Sequence, residues 1–304
     1  MGILTVTHKT TYDYANPVVL GPHRMMFRPR DSHDLRLLET GLVMEPAPSD
    51  LRWMHDVFGN SVALARFDGI SASRLTIESR IVLEQFPAGP GDFALEDHAR
   101  HYPFSYDAAE VPDLGRTMER HYPDPDHKVD EWARQFVRAE PGSDGLVDTL
   151  PMLRAMTAAI RGGFTYQSRD AEGTQSPVET LERGSGSCRD FALLMMEAAR
   201  SLGFAARFVS GYLYDPVADG AGDVAVGAGA THAWMQVYLP GAGWVEFDPT
   251  NGIAGGRNLI RVAVTRDASQ AVPLAGQWTG APADYRGMTV SVNVTAGRSA
   301  DAGG

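Results

Sequence analysis

Cys188 is the only cysteine in the 304-residue chain, and the residues around it have the types and spacing for covalent chemistry. It follows Gly184-Ser185-Gly186-Ser187 and opens a run in which Phe191, Leu194, Met195, Ala198, Ala199 and Leu202 recur every three or four positions. That spacing predicts a helix with one apolar stripe, ending near Gly203, with Cys188 in its first turn. There the unpaired backbone N–H groups and the positive end of the helix dipole favour an anion, so a thiolate is stabilised relative to the thiol. A lone cysteine is ordinarily a small buried hydrophobe. A core cysteine, however, has apolar neighbours one turn away on both sides, whereas everything immediately N-terminal to Cys188 is glycine or serine, which lets backbone and substrate approach closely.

A nucleophilic thiol needs a base, and the base needs a group that holds it. Downstream, Thr231–Leu239 and Trp244–Thr250 alternate like strands on either side of Pro240-Gly241-Ala242-Gly243, which is turn chemistry, so a β-hairpin is predicted. The two-residue period puts His232, Trp234, Gln236 and Tyr238 on one face of the first strand, and Trp244, Glu246 and Asp248 on one face of the second. His232 and Asp248 both lie at the ends far from the turn. A plain two-residue hairpin would not set them opposite each other, so their meeting requires a longer loop, a bulge or a diagonal contact.

Around these residues the composition is that of a globular protein with room for two domains: 43% of residues are hydrophobic and 21% charged. The formal net charge of -11 argues against nucleic acid or an anionic membrane as partner, since both select clustered Lys and Arg. No apolar stretch approaches a membrane span, and the start of the chain lacks a secretory pattern. A single cysteine excludes an intramolecular disulfide, and a thiol that must stay free suits a reducing compartment, so a cytoplasmic location is expected.

The organisation expected is a β-rich domain over residues 1–86, a linker and helical segment over 87–145, a catalytic core over 146–296 and a flexible tail over 297–304. In the first part, Leu4–Tyr14, Leu35–Glu45, Ser61–Phe67 and Leu75–Leu83 read as strands, separated by turns at Ala15-Asn16-Pro17, Pro46-Ala47-Pro48 and Phe58-Gly59-Asn60, which fits an antiparallel sandwich. His8, His23, His33 and His55 have no close ligand partners and read as surface or packing residues. Phe86-Pro87-Ala88-Gly89-Pro90-Gly91 is the linker. Helices are expected over Leu114–His121, Val129–Arg138 and Val147–Ile160, with a break at Glu140-Pro141-Gly142-Ser143, and a short one over Pro177–Leu181. Ala206–Tyr214 reads as a strand, Asp215–Ala230 as a surface loop or a flap over the cleft, and the strands after Gly255 as completing the core sheet or covering its flank.

The order Cys188, His232, Asp248, carried by GSGSCRDFALLMMEAARSLGFAARFVSGYL and THAWMQVYLPGAGWVEFDPTNG, resembles the transglutaminase-like superfamily of papain-type cysteine enzymes. More closely, the chain is similar to the bacterial members that carry a β-rich N-terminal domain, on the further strength of Thr11-Tyr12-Asp13-Tyr14, Phe27-Arg28-Pro29-Arg30 and Asp56-Val57-Phe58-Gly59-Asn60. The resemblance implies an α+β protein in which an antiparallel β-sandwich-like domain precedes a papain-like core, with the cysteine at a helix N-terminus and the His and Asp on adjacent antiparallel strands. It maps Cys188 onto the nucleophile, His232 onto the base and Asp248 onto the residue that orients the base.

From those types the expected reaction is attack of the thiolate on an amide carbonyl, protonation of the leaving amine by His232, and a thioester intermediate. The oxyanion would be held by the Cys188 N–H and a second donor, for which Trp234 and Tyr166 are candidates, although a structural role suits both aromatics equally. Water would resolve the thioester in a protease or amidase, and an amine in an acyltransferase; hydrolysis of a peptide, protein or other amide is favoured by analogy. Two other classes remain beside these. One is a non-catalytic scaffold. The other is a metal site built from the three residues, but their spacing lacks any Cys-x-x-Cys or His-Glu-x-x-His pairing, so neither metal nor cofactor is expected.

Overall fold

The alternation that begins at Leu4 does not stop at Asn16: Gly2–Met25 forms one 24-residue strand, β1, in a computed structural model that describes residues 2–86, 93–137, 146–169, 172–215, 226, 229–256 and 258–297. The turn expected at Ala15-Asn16-Pro17 is instead a shift in the ladder between Asp13 and Val18. Pro17 has no N–H to donate, and it falls where β1 exchanges partners and no donor is required.

Beside β1 lie β2 (Leu35–Glu45), β3 (Asp50–His55), β4 (Ser61–Arg66) and β5 (Ser71–Gln85), in the order β2-β5-β1-β4-β3. The first half of β1 pairs with β5 and its second half with β4, so the two halves of the sheet share one strand. Tyr14, Val18 and Leu20 from β1, Met44 from β2, Ala63 and Ala65 from β4 and Leu75 and Ile77 from β5 form the common core between them. The strand β3 was not expected. Five of its six residues are exposed, so no alternation marks it.

The middle of the chain is helical, as its change in composition suggests. A two-residue pair, β6 (His101–Tyr102) with β7 (Val147–Asp148), brackets α1 (Val111–Met118) and α2 (Lys128–Arg134), and α3 (Thr149–Gly163) follows. A second pair, β8 (Thr165–Tyr166) with β9 (Ser185–Gly186), is parallel and brackets α4 (Pro177–Arg183), ahead of α5 (Cys188–Ser201). The break at 140–143, most of the linker at 86–91, most of the loop at 215–230 and the tail from 298 lie outside the described residues.

A second, five-stranded sheet, β13-β12-β11-β10-β14, is antiparallel: β10 (Ala206–Leu213), β11 (His232–Leu239), β12 (Gly243–Asp248), β13 (Ile253–Ala254) and β14 (Leu259–Thr265). Helix α5 packs on one face of this sheet and against α2, α3 and α4. It is therefore buried all round rather than along the single stripe expected, with Phe191, Leu194 and Met195 among its core residues. Its buried charges are matched: Arg200 Nη1 donates to Glu197 Oε1 at 2.8 Å, and Arg200 also donates to the carbonyls of Thr117, Ala206 and Arg266. Glu197 Oε2 accepts from the backbone of His121. An unmatched charge at this depth would be costly.

The end of the chain corrects the expected organisation. Strand β14 does complete the core sheet, but β15 (Leu274–Thr279) and β16 (Tyr285–Gly297) return to the N-terminal sheet and pair with β1, from Ile3 against Gly297 to Tyr14 against Tyr285. A strand as long as β1 leaves a row of backbone groups open on the side away from β5, and β16 satisfies them. The two sheets meet over Leu4, Val6, Ile81 and Leu83 on one side and Tyr212, Ile260 and Val262 on the other. His8 sits buried at this seam, its ring nitrogens 3.0 Å from the Tyr212 hydroxyl and 3.2 Å from Thr10 Oγ1, and burial lowers its pKa to about 4. Among the described residues no helix is long and apolar enough to cross a membrane.

Candidate active site

The approach to Cys188 is built from local turn chemistry. Gly184, at φ +57°, ends α4 in the left-handed conformation that glycine adopts without strain. Ser185 and Gly186 then pair with Thr165 and Tyr166, and a Cβ at Gly186 would stand 2.9 Å from that of Asp190. Ser187 caps α5, its backbone N–H and its hydroxyl both donating to Asp190 Oδ2 at 2.8 Å. The other Asp190 oxygen accepts from Gln175 N–H at 2.7 Å and from Arg169 at 2.9 Å. A fully buried carboxylate thus locks the first turn, where the helix dipole favours it. Cys188 follows the cap directly and is 8% exposed. Residue type and spacing do not mark Asp190 as a site residue, although Ser187-x-x-Asp190 is a capping signature.

His232 opens β11 and Asp248 ends β12. The three-residue turn 240–242 sets Tyr238 opposite Trp244 and Gln236 opposite Glu246. Continued, that register puts Asp248 across from Trp234, so His232 reaches it diagonally along the same face. His232 Nε2 lies 2.8 Å from Asp248 Oδ2, and both side chains are fully buried. Asp248 is held in turn by Thr250 N–H at 2.9 Å and by the Asn251 side-chain amide at 2.8 Å. Neither residue was anticipated as a participant, though both stand in the quoted Asp-Pro-Thr-Asn-Gly run.

Burial alone would push the His232 pKa down. The Asp248 charge and hydrogen bond, joined by Cys188, outweigh burial and raise it from 6.5 to about 10. Burial likewise works against the Asp248 carboxylate, but His232, Asn251 and the Thr250 N–H hold its pKa below the usual carboxylate value. The second imidazole nitrogen, Nδ1, is buried without a hydrogen-bond partner among the described residues. The structure joins imidazole and carboxylate by a hydrogen bond, and the Cys188 thiol is the other group that raises the His232 pKa.

The sign of the His232 pH response follows. A histidine whose folded pKa is raised stabilises the fold fully below its unfolded value near 6.5, and that stabilisation is lost as pH rises through the folded value. The melting-temperature difference between wild type and His232→Gln should be constant at pH 5–6 and shrink steadily from about pH 6.5 to pH 10. Differential scanning calorimetry checks this, and a difference that widens above pH 7 would contradict it.

Of the two candidate donors, Tyr166 pairs with Gly186, two residues before the thiol; burial is the main cause raising its phenol pKa, and Cys188 is the next. Trp234 is fully buried, its ring stacked on His232 at 5.9 Å with 27° between planes, and its indole N–H is buried with no hydrogen-bond partner among the described residues. Among the described residues no three His, Cys, Asp or Glu side chains gather as a metal site.

Residues 138–249 match the transglutaminase-like superfamily, and residues 4–84 match the bacterial transglutaminase-like N-terminal region. An uncharacterized protein of Mycobacterium tuberculosis is 31% identical over 281 residues, covering 89% of this chain and 86% of that protein. An uncharacterized protein of Mycobacterium leprae is 36% identical over 120 residues, 38% of this chain and 40% of that one. Among solved structures, a candidate cysteine protease of Cytophaga hutchinsonii has the same fold, with a TM-score of 0.68 at 17% identity over 97% of this chain and 90% of that one. With an N-terminal sheet and a Cys-bearing core each matched over most of its length, the chain belongs to the transglutaminase-like superfamily and carries the bacterial transglutaminase-like N-terminal region.

Proposed function

We propose that the protein cleaves a peptide or other amide bond through a thioester on Cys188. The single observation that carries this reading is a buried imidazole held at Nε2 by a buried carboxylate and acted on by a thiol at a helix N-terminus. In the resting site His232 carries the proton and Cys188 is the thiolate. The sulfur forms a bond to the carbonyl carbon, and the tetrahedral oxyanion is met by the Cys188 N–H and by Tyr166. Collapse breaks the C–N bond, and the His232 proton leaves with the amine. Neutral His232 then takes a proton from water as its oxygen attacks the thioester, which releases the carboxylic acid and restores the thiolate–imidazolium pair.

Asp248 keeps the imidazole in the required tautomer throughout and stays ionised. The family assignment and the fold shared with a candidate cysteine protease support a covalent cysteine mechanism. An amine in place of water would make the same intermediate a transfer reaction. The free thiol that the mechanism needs suits a reducing compartment, so we place the protein in the cytoplasm.

Mass spectrometry of the full chain incubated with a peptide library, with and without a primary amine, tests the proposal. Cleaved or deamidated peptides without amine incorporation are the expected products. Amine-linked products would assign acyl transfer, and products formed without a Cys188-bound intermediate would overturn the reading.

A further inference from the structure

Glu246 is a buried charge that the proposed chemistry leaves unused. It stands on β12 two residues before Asp248, on the same face, and is 4% exposed. Its Oε1 accepts from Arg261 Nη1 at 2.8 Å and from Gln236 at 3.1 Å. Its Oε2 is buried with no hydrogen-bond partner among the described residues, and the Trp234 indole N–H is buried in the same condition. Trp234 and Glu246 are diagonal neighbours on one face, since Gln236 pairs with Glu246 and the register continues to Trp234 against Asp248, and the indole N–H is among the groups that favour the ionised form of Glu246, against a burial that raises its pKa. Gly256 makes room for the carboxylate, since a Cβ there would stand 2.9 Å from Oε2.

The network extends in two directions. Arg261 makes a two-pronged contact with Asp34, at 3.0 Å to each oxygen, and Asp34 directly precedes β2 of the N-terminal sheet. Gln236 accepts from Arg207, whose guanidinium lies 3.9 Å over the Trp244 ring. At the other end, the Trp234 ring supports the His232 imidazole. One hydrogen bond to Asp248 fixes a ring nitrogen but leaves the imidazole free to tilt about that bond. The stacked indole fixes the plane, and the indole's own orientation depends on what its N–H meets.

We infer that Glu246 is a positioning residue for His232, acting through the Trp234 indole, and that Asp34 ties this support to the N-terminal sheet through Arg261. The N-terminal sheet then helps hold the base in place while its own side chains stay clear of the reaction. The inference rests on the reading of His232 as the base that activates Cys188.

The rate of Cys188 alkylation by iodoacetamide, followed from pH 5 to pH 10 on the full chain, separates the two. Trp234→Phe keeps the stacked ring and removes the N–H; Asp34→Asn keeps the side chain's shape and weakens the grip on Arg261. The first should slow alkylation at pH 7 about tenfold and the second about threefold, a fraction of the roughly hundredfold that a 1 Å misplacement can cost. Both should move the rise of the alkylation rate to higher pH. Asp13→Asn, which breaks an exposed ion pair with Arg74 on the same sheet, should match wild type. If Trp234→Phe does not fold, Asp34→Asn decides alone. Wild-type rates and profiles in the folded variants would overturn the positioning role. If His232→Ala also reacted like wild type, the cysteine-enzyme reading would fall and this inference with it; a slowed His232→Ala beside unaffected Trp234→Phe and Asp34→Asn would overturn the positioning alone.

Discussion

Cys188→Ala is expected to eliminate the acyl-enzyme mass and to lower product formation at least about 10⁴-fold, the scale on which removing a nucleophile acts. The fold should survive. The first turn of α5 is locked by Asp190 through Ser187, Gln175 and Arg169, none of which uses the sulfur, and alanine is the best helix former. Cys188→Ser should be equally inactive, because a hydroxyl of similar size is not ionised by the same helix terminus and imidazole. Intact-protein mass spectrometry with the preferred peptide, beside a thermal melt, separates chemistry from stability. Undiminished activity in both variants would return the protein to the class of non-catalytic binding domains.

Asp248→Ala is expected to cost about 10³-fold or more in acylation rate and, unlike the cysteine change, several kcal/mol of stability, since it strands buried donors. The carboxylate accepts from His232, from the Thr250 N–H and from the Asn251 side chain, so its loss frees the imidazole to turn and leaves those groups unpaired. Asp248→Asn should be intermediate. Asparagine retains one acceptor oxygen, which can hold the ring nitrogen, but its amide group would face a donor that now has nothing to bond to. The raised His232 pKa depends chiefly on the Asp248 charge, so in Asp248→Asn the alkaline limb of the rate profile should shift to lower pH. Single-turnover acylation measured across pH, with chemical denaturation of each variant, checks both parts. An Asp248→Ala enzyme that acylates at the wild-type rate would remove Asp248 from the mechanism.

The helix that begins at Cys188, the hairpin that carries His232 and Asp248, and the faces on which those side chains lie were legible in the sequence. Each is set by a repeat of 3.6 or two residues and by turn chemistry contained within about twenty positions. That a plain two-residue hairpin would not set His232 and Asp248 opposite each other followed from counting residues around the turn; which of a longer loop, a bulge or a diagonal contact joins them did not. Helix α5 was legible as a helix but not as a wholly buried one, because its second buried face is defined by α2, α3 and α4 and by charges that find partners only on folding.

What tertiary structure alone decided are the pairings across long stretches of chain. The pairing of β16 with β1, which sends the end of the chain back to the N-terminal sheet, joins residues with no shared local pattern. The contact between Asp34 and Arg261 spans 227 positions, and the diagonal placement of Trp234 and Glu246 depends on how two strands are offset. Periodicity states which face a residue occupies; it carries no information about which distant strand, charge or donor will cover that face, because many partners satisfy the same apolar or polar requirement and packing selects one.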